Sequence, residues 1–254
     1  MEITFLGTGT SMGVPVIGCR CAVCNSDDPR NRRTRSSVWI RYNQRNILID
    51  TAPEMRLQAL AHGMDKLDAL LFTHAHADHI FGFDDIRRFN QMQRELIPVY
   101  GSRQTIEALR RIFHYAFDPE TPNWQLPQVR SQYVQGPFQL FGLQVVPLTV
   151  MHGELPVTAY RIGNFAYATD CNAIPPESME GLRNLDVLVL DALRKEPHPS
   201  HFSLDEALSV IEELRPKRAY LTHLSHAIDH AEIQSMLPEN VAPAYDGLRI
   251  HVET

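Results

Sequence analysis

The stretch that decides the fold is ALLFTHAHADHIFGF, at residues 69–83. Its opening residues, Ala69 to Phe72, form an apolar run typical of a short buried strand, and the polar Thr73 ends that run. The next six residues contain four side chains of the kinds that bind metal ions: His74, His76, Asp78 and His79. Because α/β folds place their chemistry at the carboxyl ends of strands, this position favours a functional site.

These four side chains predict a metal site, and one that holds two ions. Imidazole and carboxylate groups are ligands of zinc, manganese and iron. His74 and His76 are two residues apart, so they point the same way on an extended segment. Asp78 and His79 follow as the chain turns, and they can face a second point beside the first. The alternative is a polar loop rich in histidine by chance, but so dense a cluster directly after an apolar strand favours metal binding.

The composition is that of an ordinary globular protein, and it limits the classes of partner. The chain has 254 residues, of which 44% are hydrophobic and 21% charged, so it can bury a sizeable core. A net charge of -6 argues against a broad basic face for long nucleic acid. No run approaches the roughly 20 apolar residues of a membrane span, and MEITFLGTGTS lacks the basic and apolar regions of a signal peptide. We expect a cytoplasmic protein with one domain over residues 1–254 and no membrane partner.

Three of the four cysteines lie within GCRCAVCN, residues 18–25: Cys19, Cys21 and Cys24. In a reducing cytoplasm, thiols at this spacing favour a metal site over disulfides. A tetrahedral zinc ion needs a fourth ligand, for which Cys171 and His226 are the candidates. The alternative is a loop that packs three reduced cysteines without a metal ion.

The motif H-x-H-x-D-H after a strand resembles the signature of the metallo-β-lactamase superfamily. This resemblance implies an α/β fold, the four-layer αβ/βα sandwich. It also implies three later metal ligands, a lone His, a lone Asp and a lone His at strand ends, which are here His152, Asp170 and His223. One ion would be held by His74, His76 and His152, and the second by Asp78, His79 and His223, with Asp170 as the bridge. Asp50, at another strand end, is either a core-capping residue or a group that orients a ligand histidine.

Within that superfamily, the chain most resembles the PhnP-type phosphodiesterases, which are relatives of the transfer-RNA processing enzyme RNase Z. The resemblance is carried by FLGTGTSMGVP, C-x-C-x-x-C, THAHADH, H-x-S-x-x-x-A and LTHLSH. It implies a structural zinc ion bound by Cys19, Cys21, Cys24 and His226, and a catalytic role for His201 at the leaving group. RNase Z carries an arm for transfer RNA between its late Asp and late His ligands. No Gly/Pro-rich or basic arm lies between Asp170 and His223, which argues against transfer RNA as the substrate.

The predicted function is metal-dependent hydrolysis of a small phosphodiester, cyclic diesters included. The resemblance implies two divalent ions (Zn or Mn) that generate a hydroxide nucleophile, with Asp78 orienting it and His201 donating a proton to the departing alkoxide. The alternative is a hydrolase that uses the same ions on a thioester or lactone carbonyl. We expect the helix DDIRRFN, residues 84–90, to encode the substrate difference. A homodimer is a possible assembly.

Overall fold

The computed structural model describes residues 1–118, 120 and 123–253. Its first sheet has seven strands: β1 (Glu2–Gly7), β2 (Ser37–Tyr42), β3 (Arg45–Ile49), β4 (Ala69–Leu71), β5 (Ile97–Gly101), β6 (Val129–Tyr133) and β14 (Arg249–His251). Their order is β14-β1-β2-β3-β4-β5-β6. Strands β14 to β3 pair antiparallel, and β3 to β6 pair parallel. Because β3 and β4 run in the same direction, Asp50 and the histidine segment leave the sheet at the same edge.

The second sheet also has seven strands: β7 (Phe138–Leu140), β8 (Leu143–His152), β9 (Leu155–Ile162), β10 (Phe165–Ala168), β11 (Val187–Asp191), β12 (Arg218–Thr222) and β13 (Val241–Pro243). They pair in the order β13-β12-β11-β10-β9-β8-β7. Strands β10 to β13 are parallel, whereas β9 is antiparallel to both β8 and β10. Strand β8 therefore runs in the direction of β10, so the carboxyl ends of β8, β10, β11 and β12 meet at one edge.

The helices are α1 (Met55–His62), α2 (Ala77–Ile80), α3 (Arg87–Gln93), α4 (Arg103–Ile112), α5 (Pro176–Gly181), α6 (Leu204–Leu214) and α7 (His230–Met236). Helix α1 ends at Gly63, which adopts the left-handed conformation (φ 68°) that glycine takes without a Cβ clash. Helix α6 begins with a complete capping box, in which Ser203 and Glu206 bind each other's backbone N–H. Within the described part of the chain, no helix is long and apolar enough to cross a bilayer.

Three apolar cores hold these layers together. The central core lies between the sheets, where Ile3 and Phe5 of β1 join Tyr160 and Tyr167 from β9 and β10. The outer face of each sheet forms a further core with its helices. Each fully buried large apolar side chain contributes about 1.5–3 kcal/mol to folding. This order of helix, sheet, sheet and helix confirms the predicted four-layer αβ/βα sandwich. The expectation of a single domain over residues 1–254 stays a prediction.

Strands β2 and β3 form a hairpin with a tight turn. Strands β2 and β3 are joined by only Asn43 and Gln44, which have φ values of 45° and 62°. Two-residue hairpin turns of this kind need positive φ at both positions, and asparagine tolerates it well. The turn fixes the register of β3 and therefore the position of Asp50 at its end.

Candidate metal centres

The ends of strands from both sheets bring the seven predicted active-site ligands together. His74 and His76 follow β4, and Asp78 and His79 lie on α2, a short helix where the sequence indicated only a turn. His152 ends β8, Asp170 follows β10 and His223 follows β12. The first sheet thus supplies four of these side chains and the second sheet supplies three.

Three residues of this region adopt a left-handed backbone that non-glycine residues rarely take. Asp50, Asp170 and His223 have φ values of 62°, 53° and 60°. Each of them directly follows a strand or lies within two residues of its end. Such a conformation costs of order 1–3 kcal/mol and persists where surrounding contacts enforce it, commonly at functional sites. In this conformation Asp50 bonds to His79, and Asp170 lies 3.2 Å from His223.

One group of four ligands converges as the sequence predicts for the second ion. The ligand atoms of Asp78, His79, Asp170 and His223 all lie within 4.8 Å of one another. Nε2 of His79 is 3.3 Å from Asp78 Oδ2 and 3.2 Å from Asp170 Oδ1. Two ligands on one tetrahedral zinc ion, at bond lengths of about 2.0–2.2 Å, are separated by about 3.4 Å. The observed separations fit a shared metal ion.

The ligands predicted for the first ion form the adjoining part of the cluster. The ring of His76 lies 4.5 Å from that of His74 and 5.2 Å from that of His152. Nε2 of His74 is 3.9 Å from Asp170 Oδ2, so this carboxylate faces both groups of ligands, as a bridge must. The ligand atoms of His152, Asp170 and His201 also lie within 4.8 Å of one another. His201 is therefore close enough to be a ligand as well as a proton donor.

Hydrogen bonds from neighbouring groups orient three of these histidines. Nδ1 of His79 bonds to Asp50 at 2.7 Å, and Nδ1 of His152 donates to the Ser200 carbonyl at 2.7 Å. Nδ1 of His74 lies 3.0 Å from the Thr73 hydroxyl. A histidine held at Nδ1 presents Nε2 to a metal ion. Among the described residues, the buried Nε2 atoms of His74 and His79 have no hydrogen-bond partner, as expected where an ion binds. Of the two roles open to Asp50, the structure shows the orienting one.

The charge of the cluster also favours cations. Burial alone would lower the pKa of His79, but three surrounding carboxylates, Asp170 first among them, raise that pKa well above its usual value. Burial would raise the pKa of Asp170, yet the imidazoles of His223 and His79 hold it well below its usual range. Buried carboxylates of this kind need compensating positive charge, which divalent ions provide.

His201 is paired with an aspartate that the sequence interpretation missed. Nδ1 of His201 lies 2.8 Å from Oδ2 of Asp191, which is fully buried. The His201 ring is 4.5 Å from that of His152 and stacks at 4.8 Å on that of His223. Burial lowers the pKa of His201, but the hydrogen bond and the charge of Asp191 outweigh it and raise that pKa overall. Asp191 ends β11, so its place at a strand end beside two predicted ligands was the signal that could have found it.

The three clustered cysteines converge on His226 in a separate centre. Nδ1 of His226 is 3.3 Å from Sγ of Cys19 and 3.5 Å from Sγ of both Cys21 and Cys24. Zn–S and Zn–N bonds of about 2.3 Å and 2.0 Å at a tetrahedral angle separate sulfur and nitrogen by about 3.5 Å. All three cysteines are free thiols, and a hydrogen bond from the Cys24 backbone lowers the pKa of Cys21 to about 6. The geometry fits a tetrahedral zinc ion.

Cys171, the other candidate for fourth ligand, takes no part in that centre. It is fully buried, and burial raises the pKa of its thiol well above the usual value. Its backbone N–H donates to Asp191 at 2.9 Å, which places it beneath the active-site cluster. His226 is the histidine that the resemblance to PhnP-type enzymes implies for this position.

The sequence model of the β-lactamase superfamily domain matches residues 45–224, which include all seven predicted active-site ligands. The chain belongs to the β-lactamase superfamily. The crystal structure of a diphosphatase from the PhnP family is 44% identical, with a TM-score of 0.93 over 99% of this chain and 98% of that one. This superfamily member therefore belongs to the PhnP family.

Two further relatives match this chain over nearly its whole length. An octanoyltransferase of Porphyromonas gingivalis is 40% identical over the whole of this chain, which spans only 52% of that protein. Zn²⁺-bound PqqB from Methylobacterium extorquens has a TM-score of 0.81 over 99% of this chain and all of that one. At 19% identity, the likeness to PqqB shows the fold alone. The chain has the metallo-β-lactamase fold and carries candidate His/Asp metal sites.

Proposed function

We propose that this protein hydrolyses a small phosphodiester, cyclic diesters included, with two divalent ions (Zn or Mn) in its active site. The observation that carries the proposal is the Asp191–His201 pair beside both groups of metal ligands. An alkoxide is a poor leaving group, so its departure requires a proton donor positioned in this way. The 44% identity to a PhnP-family diphosphatase supports phosphoryl chemistry.

The residues of the cluster have distinct roles in this proposal. The first ion would be held by His74, His76 and His152, the second by Asp78, His79 and His223, and Asp170 would contact both. When bound, such ions make water nucleophilic at neutral pH and neutralise phosphate oxygens. Asp78 would also accept a hydrogen bond from the attacking water and orient it. His201, fixed through Nδ1 by Asp191, would donate its Nε2 proton to the leaving oxygen.

A third ion of the proposal, a zinc ion bound by Cys19, Cys21, Cys24 and His226, would have a structural role. The cysteine loop has little regular structure of its own, and a tetrahedral zinc site contributes folding free energy directly. It would hold this loop against the segment that follows β12, which also carries His223. The centre would therefore support the active site without taking part in the reaction.

An acyl substrate is the second candidate, and one observation favours it. The Porphyromonas gingivalis relative is named an octanoyltransferase, although this chain spans only about half of it. The same ligand cluster could activate water against a thioester or lactone carbonyl, where departure of a thiolate needs no proton donor. The Asp191–His201 pair would then have no role in the reaction, and we therefore rank this function second.

A direct comparison of substrates tests the proposal. The purified protein should be analysed for metal content and assayed with bis(p-nitrophenyl) phosphate, uridine 2′,3′-cyclic phosphate, octanoyl thioester and a lactone. We expect zinc or manganese at the active site, turnover of phosphodiesters, and loss of that turnover after chelation. Preferred turnover of the thioester or the lactone would contradict the proposal. We further propose a cytoplasmic protein that acts on small molecules and not on long nucleic acid.

A further inference from the structure

The loop between β11 and α6, residues 192–203, carries the proposed proton donor. All of it is described by the structure, and it contains no helix or strand. Its position therefore depends on single contacts with neighbouring segments. The Ser200 carbonyl accepts from Nδ1 of His152 at 2.7 Å, and the Phe202 N–H donates to the Cys171 carbonyl at 2.7 Å. The loop thus rests on the carboxyl ends of β8 and β10.

One side chain, that of Asn172, joins the same segments. Its Oδ1 accepts from the Gly153 N–H at 2.8 Å, and its Nδ2 donates to the Pro199 carbonyl at 3.1 Å. Gly153 directly follows the predicted ligand His152, and Pro199 lies two residues before His201. A single amide therefore connects the ligand at the end of β8 with the loop that carries the acid.

The backbone around Asn172 is itself held against β8. The Asn172 N–H donates to the Met151 carbonyl at 2.8 Å, and the Met151 N–H donates to the Ala173 carbonyl at 2.9 Å. These bonds pair the residues that follow Asp170 with the end of β8. The Cα atom of Asn172 is thus fixed relative to β8, and its side chain transmits that position to the loop.

The two bonds of this amide require asparagine. A backbone N–H can only donate and a backbone carbonyl can only accept, so the side chain must offer one acceptor and one donor. Aspartate has the same shape and keeps the acceptor for Gly153, but it has no donor for Pro199. Asn172 is half-buried, so water can reach the backbone groups that a substitution frees, and we expect its variants to fold.

We propose that Asn172 is a positioning residue, which holds the loop of residues 192–203 against the end of β8 so that His201 reaches the leaving oxygen beside the first ion. This inference rests on the proposed phosphodiesterase function and adds a residue to its mechanism. The rings of His201 and His152 are 4.5 Å apart. A general acid acts only within hydrogen-bond reach of its target, so a small shift of the loop slows proton transfer.

Asn172→Asp tests the donor half of the amide alone. It should lower kcat about 3- to 10-fold on uridine 2′,3′-cyclic phosphate, whose leaving group is an alkoxide, as expected for the loss of one hydrogen bond. On bis(p-nitrophenyl) phosphate the loss should stay below about twofold, because p-nitrophenolate leaves without a proton. Both substrates carry one negative charge, so repulsion by the new carboxylate acts on both alike. Asn164→Asp makes the same change at an exposed position before β10, at the opposite end of this strand, and is the matched control.

Metal binding provides a readout that does not depend on turnover. In competition with a chelator, Asn172→Asp should hold both active-site ions as the wild type does. Asn172→Ala, which also frees the Gly153 N–H beside His152, should hold one of them about threefold or more weakly. An equal loss of kcat on both substrates in Asn172→Asp, or unchanged ion affinity in Asn172→Ala, would overturn the proposal. If the wild type hydrolyses neither diester, the phosphodiesterase function fails, and the competition still decides whether Asn172 positions His152.

Discussion

Replacing His201 tests whether this side chain is the proton donor of the reaction. Removal of a positioned general acid costs about 10²- to 10⁴-fold in rate, or about 2.7–5.4 kcal/mol in the barrier. His201→Ala should show a loss in this range on an alkyl phosphodiester, because an alkoxide needs a proton to depart. The loss should be much smaller for a p-nitrophenyl diester, since p-nitrophenolate leaves without one.

The Asp191→Asn variant separates the charge of the pair from its geometry. Oδ2 of Asp191 accepts from Nδ1 of His201 and from the Cys171 N–H, and one amide oxygen can keep both bonds. The negative charge is lost, and an NH2 group replaces Oδ1, which has no hydrogen-bond partner among the described residues. The bond from His201 therefore loses its anionic acceptor and weakens by about 1–1.5 kcal/mol. We therefore expect a loss of about tenfold on the alkyl diester, well below that of His201→Ala.

Steady-state kinetics on both substrates and metal analysis of each variant decide the question. His198→Ala is the matched control, since its ring lies 5.1 Å from that of His201 in the same loop, and it should retain nearly full activity. An equal loss on the alkyl and p-nitrophenyl diesters would refute the role of His201 as an acid. So would departure of an active-site metal ion from His201→Ala, because His201 would then be a ligand together with His152 and Asp170.

Three further predictions address the metal centres and acid stability. Asp170→Ala should lose at least one active-site metal ion and nearly all activity, because this carboxylate faces both groups of ligands; retention of both would remove it as the bridge. Cys21→Ser should release one zinc ion and lower the melting temperature while the active-site ions stay bound, and the reverse pattern would refute a structural centre. Burial and the charge of Arg33 lower the pKa of His230 to about 4. The stability that the neutral ring provides is therefore present above about pH 6.5 and lost as the pH falls towards 4, so the melting temperature of wild type should fall more steeply over that window than that of His230→Gln. Parallel curves for the two proteins would contradict that assignment.

The features that could be predicted from the sequence are those formed by residues close together in the chain. Six consecutive residues contain His74, His76, Asp78 and His79. Their spacing therefore predicts a metal site without any knowledge of the fold. The capping box at the start of α6 is equally local, since Ser203 and Glu206 are three residues apart.

Features that depend on packing between distant segments could not be found in this way. The bond from His152 to the Ser200 carbonyl joins residues 48 positions apart, and a backbone acceptor has no sequence signature. Which face of helix α4 lies near the metal ligands also depends on packing, since β5 and β6 position this helix.

The two metal centres have a common property that bears on how the protein folds. Each draws ligands from segments that follow strands of different sheets, and Cys24 and His226 are 202 residues apart in sequence. Neither centre has its full set of ligands in a chain that has formed only one of its halves, so both are completed late in folding. The ions would act as cross-links that close after both sheets have met. Loss of metal should then loosen the attachment of one half to the other before either half melts, and a chelated protein would unfold with less cooperativity than the metal-loaded one.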